Sequence, residues 1–344
     1  MVHSTSVEKF ENRMFIPRGT SIILRGATNA TRLISSNAAV SVSLISKLRK
    51  DTGASIQKCK DALQESEGDM KKAIEFLRKR GENINSRING AQGVGSRVAA
   101  TRSADFKRLI ISRTTSLTDF ASESELFVKF SECVNRSLSK IKGDQPITTT
   151  ALSVLPPFAD QVHGSTLQEV VSELSSILSE PVTVSNIDVL EGDLVCMYLH
   201  GKSQYSSNVG SMASAVSFKF REPLSLDSEQ SLALASLGDC IARQIMATSP
   251  RFVSSDDVPA AEMVKEREAL ASRLKNASAI DKAFSGHWRK FIAENCLLNM
   301  EWIIPMPGQD VPDGSTVGAV METVTTKLGL PQGVISIDQF VIRK

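Results

Sequence analysis

Between residues 44 and 81 the apolar positions return at helical spacing in three short runs. Leu44, Ile45 and Leu48 share one face of a first helix, which Thr52-Gly53 stops. A second helix, starting near Ser55, sets Ile56, Cys59, Ala62 and Leu63 on one side. Gly68-Asp69 then makes a turn whose carboxylate can cap a third helix. That helix turns Ala73, Ile74 and Leu77 inward, carries Arg78, Lys79 and Arg80 at its negative end, and is expected to stop at Gly81. A module of about 40 residues buries little surface, so it is expected to lean on a partner or on the rest of the chain.

The pattern changes after the bundle. Residues 82–102 place Gly90, Gly93 and Gly95 among Asn, Ser and Arg and read as a mobile linker. The order GAQGVG is not the G-x-G-x-x-G of a phosphate-binding turn, and no clear strand precedes it. Residues 105–112 read as a strand. The run from Ser116 to Ala121 then opens a helix whose apolar face is Leu126, Phe127, Phe130, Val134 and Leu138. In a purely structural reading Thr118 or Ser122 caps that helix, Asp119 favours its positive end, and Phe120 is a staple into the core. Residues 146–157 are a polar, Pro-punctuated connection. Residues 165–178 have Leu167, Val170, Val171, Leu174 and Leu178 at helical spacing. Two β-rich runs follow, 182–189 and 194–200, around Glu191-Gly192-Asp193, and a third at 215–220 is expected to pair with them.

A long helix over 227–248 turns Ala235, Ile241 and Ile245 inward and ends at Ser249-Pro250. Residues 260–296 predict two helices parted near Asn276-Ala277-Ser278, the second carrying Ile280, Phe284, Trp288, Phe291 and Ile292. An antiparallel hairpin that protrudes from the core fits this pattern. Ser315-Thr316-Val317 starts a helix to Leu328, and a strand over 335–342 closes the sheet. The expected class is α+β: a three-helix bundle, then an α+β core with antiparallel sheets and the helical hairpin.

Composition narrows the function more than the fold. The chain has 344 residues, enough for two or three domains, and a net charge of +2, which argues against a protein that coats nucleic acid. Its five cysteines are scattered without a C-x-x-C pair, the pattern of a reduced compartment with no zinc site or disulfide framework. No apolar run reaches membrane-spanning length. From Met14 to Lys50 there is no acidic residue, while Arg18, Arg25 and Arg32 recur among Ser, Thr and small apolar residues. That composition predicts an organelle presequence, mitochondrial rather than plastid, removed before Leu44. HGKS at 200–203 fails as a phosphate loop, because Cys196 stands where the motif needs Gly. No Ser-His-Asp order, carboxylate pair or metal cluster stands out, so neither an enzyme nor a cofactor or metal site is expected.

Several stretches resemble one family. LRKDTGASIQKCKDAL followed by GDMKKAIEFLRKRG resembles the amino-terminal bundle of elongation factor Ts, which is of the ubiquitin-associated (UBA-like) type. Thr118-Asp119-Phe120 at the head of a helix is similar to that family's second motif. IARQIMATSPRFVSSDDVP and FSGHWRKFIAENCLLNMEWI resemble two later ones, and Tyr198-Leu199-His200-Gly201 matches the end of a core strand. Leu117 stands where Glu is common, Ala121 where Val is common, and Ile56-Gln57 where the family has a Met pair. The loop KSQYSSNVGSMASAV is stretched and altered relative to the family.

The resemblance implies guanine-nucleotide exchange on an organellar elongation factor Tu, bound in its GDP and nucleotide-free forms as a 1:1 heterodimer. Asp119 and Phe120 would insert beside the partner's magnesium site, with Thr118, Arg49, Ile56 and His200 as further contact positions. No direct contact with nucleic acid or membrane is implied, and the location implied is the mitochondrial matrix. Some relatives continue into a further helical module, whose contact would be missing here. The expected division is 1–41 presequence, 42–82 bundle, 83–103 linker and 104–190 core N-subdomain. It continues with 191–254 plus 297–344 as core C-subdomain and 255–296 as inserted hairpin. Two alternatives stay open: a UBA-type adaptor that binds ubiquitin without Thr118-Asp119-Phe120, and an elongation factor Ts paralogue without exchange activity.

Overall fold

The computed structural model describes residues 40–86, 95–140, 151–152, 165–224, 227–273, 277–306 and 311–344. The expected presequence up to residue 39, Gly90 and Gly93, most of the Pro-punctuated connection, and the side chain of Ile280 lie outside the described residues. In chain order the elements are α1 (Val42–Thr52), α2 (Ile56–Glu65), α3 (Met70–Ser86), β1 (Gly95–Arg102), β2 (Arg108–Ser116), α4 (Asp119–Glu123) and α5 (Glu125–Leu138). Next come β3 (Ala151–Leu152), β4 (Ser165–Thr166), α6 (Leu167–Leu178), β5 (Val182–Glu191), β6 (Leu194–His200), β7 (Val209–Gly210) and β8 (Met212–Phe220). The chain closes with α7 (Ser228–Thr248), α8 (Ala260–Arg273), α9 (Ala277–Asn295), α10 (Val317–Lys327) and β9 (Ile335–Arg343).

Local chemistry sets the bundle's helix ends. Gly53 takes the left-handed conformation at φ 70° and closes α1 by donating its N–H to Arg49 O at 2.8 Å. Ser55 caps α2 by accepting from Lys58 N. Asp69 starts α3 by accepting from the N–H groups of Lys71 and Lys72 at 2.9 and 3.1 Å. Leu48, Cys59, Ala62, Leu63, Ala73 and Leu77 form the bundle's buried centre.

Gly81 does not end α3, which runs on to Ser86. A Cβ at Gly81 would stand 1.6 Å from the carbonyl oxygen of Ser172 on α6. The glycine marks the place where two helix backbones cross. Around that crossing Lys58 donates to the carbonyl oxygens of Ser176 and Ile177, the latter at 2.7 Å, and Arg78 lies 3.7 Å from the buried Glu173 carboxylate. The small bundle therefore leans on α6.

The strands form two larger antiparallel sheets, β5-β2-β1-β7 and β6-β8-β9, plus the small β3-β4 pair. Residues 95–102 are not linker: β1 pairs with β2 from Gly95↔Ser116 to Arg102↔Leu109. Its apolar residues, Val98, Ala99 and Ala100, are small and consecutive and so lack a period-two signature, yet all three are buried. The strand expected at 105–112 begins three residues later, because Ser103, Asp105 and left-handed Phe106 (φ 59°) form a turn. β5 does not join β6 and β8. It pairs with β2, and Gly192-Asp193 carries the chain to the other sheet, where a Cβ on Gly192 would stand 2.8 Å from Phe218 O.

The two sheets pack face to face through Val98, Leu109, Ile111, Leu190, Val195, Leu199 and Ala213. α5 and α6 cover the outer face of the first through Phe127, Phe130, Val134, Val170 and Leu174. α7 and α10 cover the second through Leu237, Ile241, Ile245, Val320 and Val324. The order of layers is helix, sheet, sheet, helix. Asn135, buried on α5, donates to Ala99 O, Ile110 O and Ser112 Oγ, which fixes that helix on β1 and β2. In the second pair of layers burial, then the Asp239 carboxylate, pushes the Cys196 thiol up to about 12; all five cysteines are buried and unbridged. α8 and α9 pack along one another, joined by His287 Nε2 2.9 Å from Glu266, and within α9 Trp288 stacks 4.9 Å from Phe291.

Candidate functional site

β2 ends at Ser116, whose buried hydroxyl donates to Thr118 O at 2.9 Å and folds the chain into a sharp exit. Thr118 is extended (φ −119°, ψ 149°) and caps α4, its hydroxyl oxygen accepting from Ala121 N at 3.2 Å. One turn of helix then points in two directions. Ala121 and Ser122 are buried, while Asp119 is exposed and Phe120 is 90 % exposed. A second cap at Ser124 starts α5, so the helix expected to run on from Ser116 is two helices with a corner between them.

Phe120 is therefore not a staple into the core. Leaving it in water forgoes the roughly 1.5–3 kcal/mol that burial of such a side chain contributes. Leu117, 42 % exposed, widens the apolar tip beside it. The turn under this tip is tied at both ends. Glu180 accepts from Thr118 N at 3.1 Å and from its hydroxyl at 2.8 and 2.9 Å. Buried Arg97 of β1 donates to Ser122 O at 3.3 Å and pairs with Glu123. Gly95 has no Cβ because Thr118 O would lie 2.2 Å from it.

Arg49 and Ile56 lie on the bundle, on either side of the Gly53 corner; both are exposed, Ile56 by 57 %. They share a support with the Phe120 turn rather than a contact. Lys58 of α2 binds the carbonyls of Ser176 and Ile177, and Glu180, just beyond, holds Thr118. The end of α6 thus fixes the bundle and the turn together. His200 stands apart from this arrangement. Its Nδ1 lies 3.0 Å from Tyr198 Oη, and its carbonyl accepts from Ser211 N and Oγ, contacts that belong to a strand end. Arg97, Gly95 and Glu180 carry no local sequence signal, because their roles arise only when β1 and the end of α6 meet the turn.

Among the described residues no group of three or more His, Cys, Asp or Glu side chains could hold a metal ion. No described helix is long and apolar enough to cross a membrane. The family model described as Elongation factor TS matches residues 117–329, from the exposed tip to just past α10.

The chain belongs to the elongation factor Ts family. It is 26 % identical over 322 residues to Elongation factor Ts of Orientia tsutsugamushi (strain Boryong), covering 90 % of this chain and 93 % of the relative. It is 28 % identical over 310 residues to Elongation factor Ts of Clostridium perfringens (strain SM101 / Type A), covering 88 % and 91 %. The Clostridium botulinum (strain ATCC 19397 / Type A) relative of the same name is 28 % identical over 270 residues, covering 77 % and 82 %. The matched region of the elongation factor Ts family thus includes both capped helices of the Phe120 corner and both sheets' helical covers.

Proposed function

We propose that this chain is a guanine-nucleotide exchange factor for elongation factor Tu in organellar translation elongation, acting in the mitochondrial matrix as a 1:1 complex. The observation that carries this reading is a phenylalanine 90 % exposed on a capped, tied turn with a free-standing carboxylate beside it. Membership of the elongation factor Ts family supports the exchange activity. The acid-free, Arg-bearing segment from Met14 to Lys50 supports the compartment, with a plastid as the lesser case.

The factor forms and breaks no covalent bond, so exchange is a coupling between two ligands of the partner. A factor that weakens GDP binding is itself bound more weakly when GDP is present, by the same factor. Insertion of Phe120 supplies about 1.5–3 kcal/mol, and 1.4 kcal/mol is tenfold in affinity. If all of it goes into distortion of the nucleotide site, GDP binding weakens about ten- to hundredfold. The Asp119 carboxylate, placed beside a bound diphosphate and its magnesium, adds repulsion for the one and competition for the other. Further weakening must come from contacts of the bundle, at Arg49 and Ile56, and of the core, at His200. The seam between bundle and α6 lets the contacts at Arg49 and Ile56 act on the turn.

Release of fluorescent GDP from purified elongation factor Tu tests the reading. Stoichiometric protein is expected to accelerate it, and the nucleotide-free partner is expected to bind more tightly than the GDP form. Ubiquitin binding by the bundle without acceleration would favour the adaptor, which leaves Phe120 without a purpose. Tight binding of the partner with unchanged GDP release would mark a factor that has kept the fold and lost the activity.

A further inference from the structure

Five residues of helix cannot hold themselves in shape, since isolated helices shorter than about 12–15 residues are marginal in water. α4 is that short, and it presents the most exposed aromatic side chain among the described residues. Its conformation must come from elsewhere in the chain. Two charged residues distant in sequence supply it from opposite ends.

We propose that Glu180 and Arg97 are positioning residues that hold the 118–123 turn in its presenting geometry before any partner arrives. At the leading end the Thr118 hydroxyl donates to Glu180 and accepts from Ala121 N, so the carboxylate orients the oxygen that caps α4. Glu180 reaches this place because Ser179, at the end of α6, is left-handed (φ 59°, ψ 21°) and turns the chain back. At the trailing end Arg97, buried in β1, donates to Ser122 O and pairs with exposed Glu123. Within the turn Ser122 Oγ donates to Asp119 O at 2.9 Å, which passes the hold on to the residue before Phe120. Neither Glu180 nor Arg97 has to touch the partner. Docking through the bundle and core does not need the tip, so their effect is on the fraction of docked complexes whose tip is ready, and the inserted population falls in proportion to that fraction.

The inference rests on the exchange reading, and the test separates the two. GDP release from elongation factor Tu is followed against factor concentration for wild type, Phe120→Ala, Glu180→Ala and the double variant. If Glu180→Ala lowers the ready fraction to about a tenth, the maximal release rate falls about tenfold while the half-saturating concentration moves less than about threefold. The double variant should be no slower than Phe120→Ala alone, because Glu180 acts only through the tip. Glu180→Gln, whose amide oxygen still accepts from the Thr118 hydroxyl, should recover most of the rate. Amide hydrogen exchange should speed up at residues 118–123 in Glu180→Ala and stay unchanged in β1 and α5. Should Glu180→Ala unfold, Thr118→Val removes the hydroxyl from the other side and predicts the same pattern. Full activity of Glu180→Ala beside an impaired Phe120→Ala overturns the positioning role alone. So does a double variant slower than Phe120→Ala by the full Glu180 factor. Wild-type protein that leaves GDP release unchanged overturns the exchange reading itself.

Discussion

Replacing Gly81 by Ala opposes two effects of known size. In a helix interior Ala is favoured over Gly by about 0.8–1 kcal/mol, so propensity alone predicts a more stable protein. At this position the new methyl would lie 1.6 Å from Ser172 O, and backbone cannot rotate out of its way. Ordinary contact begins near 3.4 Å, so α3 and α6 must separate by about 1.8 Å. Overpacking of that kind costs about 1–3 kcal/mol. The separation also draws Arg78 away from Glu173, which is 4 % exposed. Loosening that contact adds to the cost. A 1.6 Å approach to backbone puts the overpacking cost at the upper end of that range, so the clash outweighs the propensity gain and the net loss is about 2 kcal/mol. Urea unfolding followed by circular dichroism measures it, and hydrogen exchange in α3 and α6 shows where the loss falls. Gly286 on α9 is the matched control, since nothing lies within 4 Å of a Cβ built there. Gly286→Ala should stabilise by up to about 1 kcal/mol. A Gly81→Ala protein as stable as Gly286→Ala would refute the close crossing and, with it, the link between bundle and turn through α6.

Other consequences concern the same seam and the core. Burial raises the Glu173 carboxyl above its ordinary value, against the opposing pull of Arg78. The folded state then holds this proton more tightly than the unfolded chain. The stabilising contribution is full below the unfolded value near 4.5 and is lost as pH rises through the higher folded value. Wild type should accordingly gain stability over Glu173→Gln on acidification from neutral pH, read as converging or crossing urea midpoints; parallel midpoints would contradict the burial. The five thiols are buried, and burial pushes that of Cys196 up to about 12, so all five should resist alkylation in native protein and react only at the rate of unfolding. A thiol modified within seconds in native buffer would contradict that packing.

Much of the architecture was legible because it is written in local chemistry. Capping residues mark the starts of α2 and α4, Asp227 starts α7, and the apolar spacing of Phe127, Phe130 and Val134 marks the buried face of α5. The exposed tip is legible as a motif, Thr118-Asp119-Phe120, but its direction only through the family resemblance: by spacing alone the same residues fit a staple into the core. What could not be read depends on distant partners. Gly81 has the appearance of a helix stop until Ser172 is placed against it. Val98-Ala99-Ala100 lacks alternation because both faces of β1 are covered, one by the second sheet and one by α5. Val182–Glu191 and Leu194–His200 are separated by two residues, as in a hairpin, yet each strand finds a better partner in a different sheet. Arg97 and Glu180 are ordinary charged residues in sequence. Only the fold sets them at the two ends of one turn.

Truncating Phe120, the side chain that the fold keeps in water, asks whether this tip drives exchange. Phe120→Ala is expected to melt with wild type, because a residue 90 % exposed contributes little to the core. At saturating factor its acceleration of GDP release from elongation factor Tu should be lower by about ten- to hundredfold, the equivalent of 1.5–3 kcal/mol. A Phe120→Ala protein that releases GDP as fast as wild type would contradict the claim that this tip drives exchange.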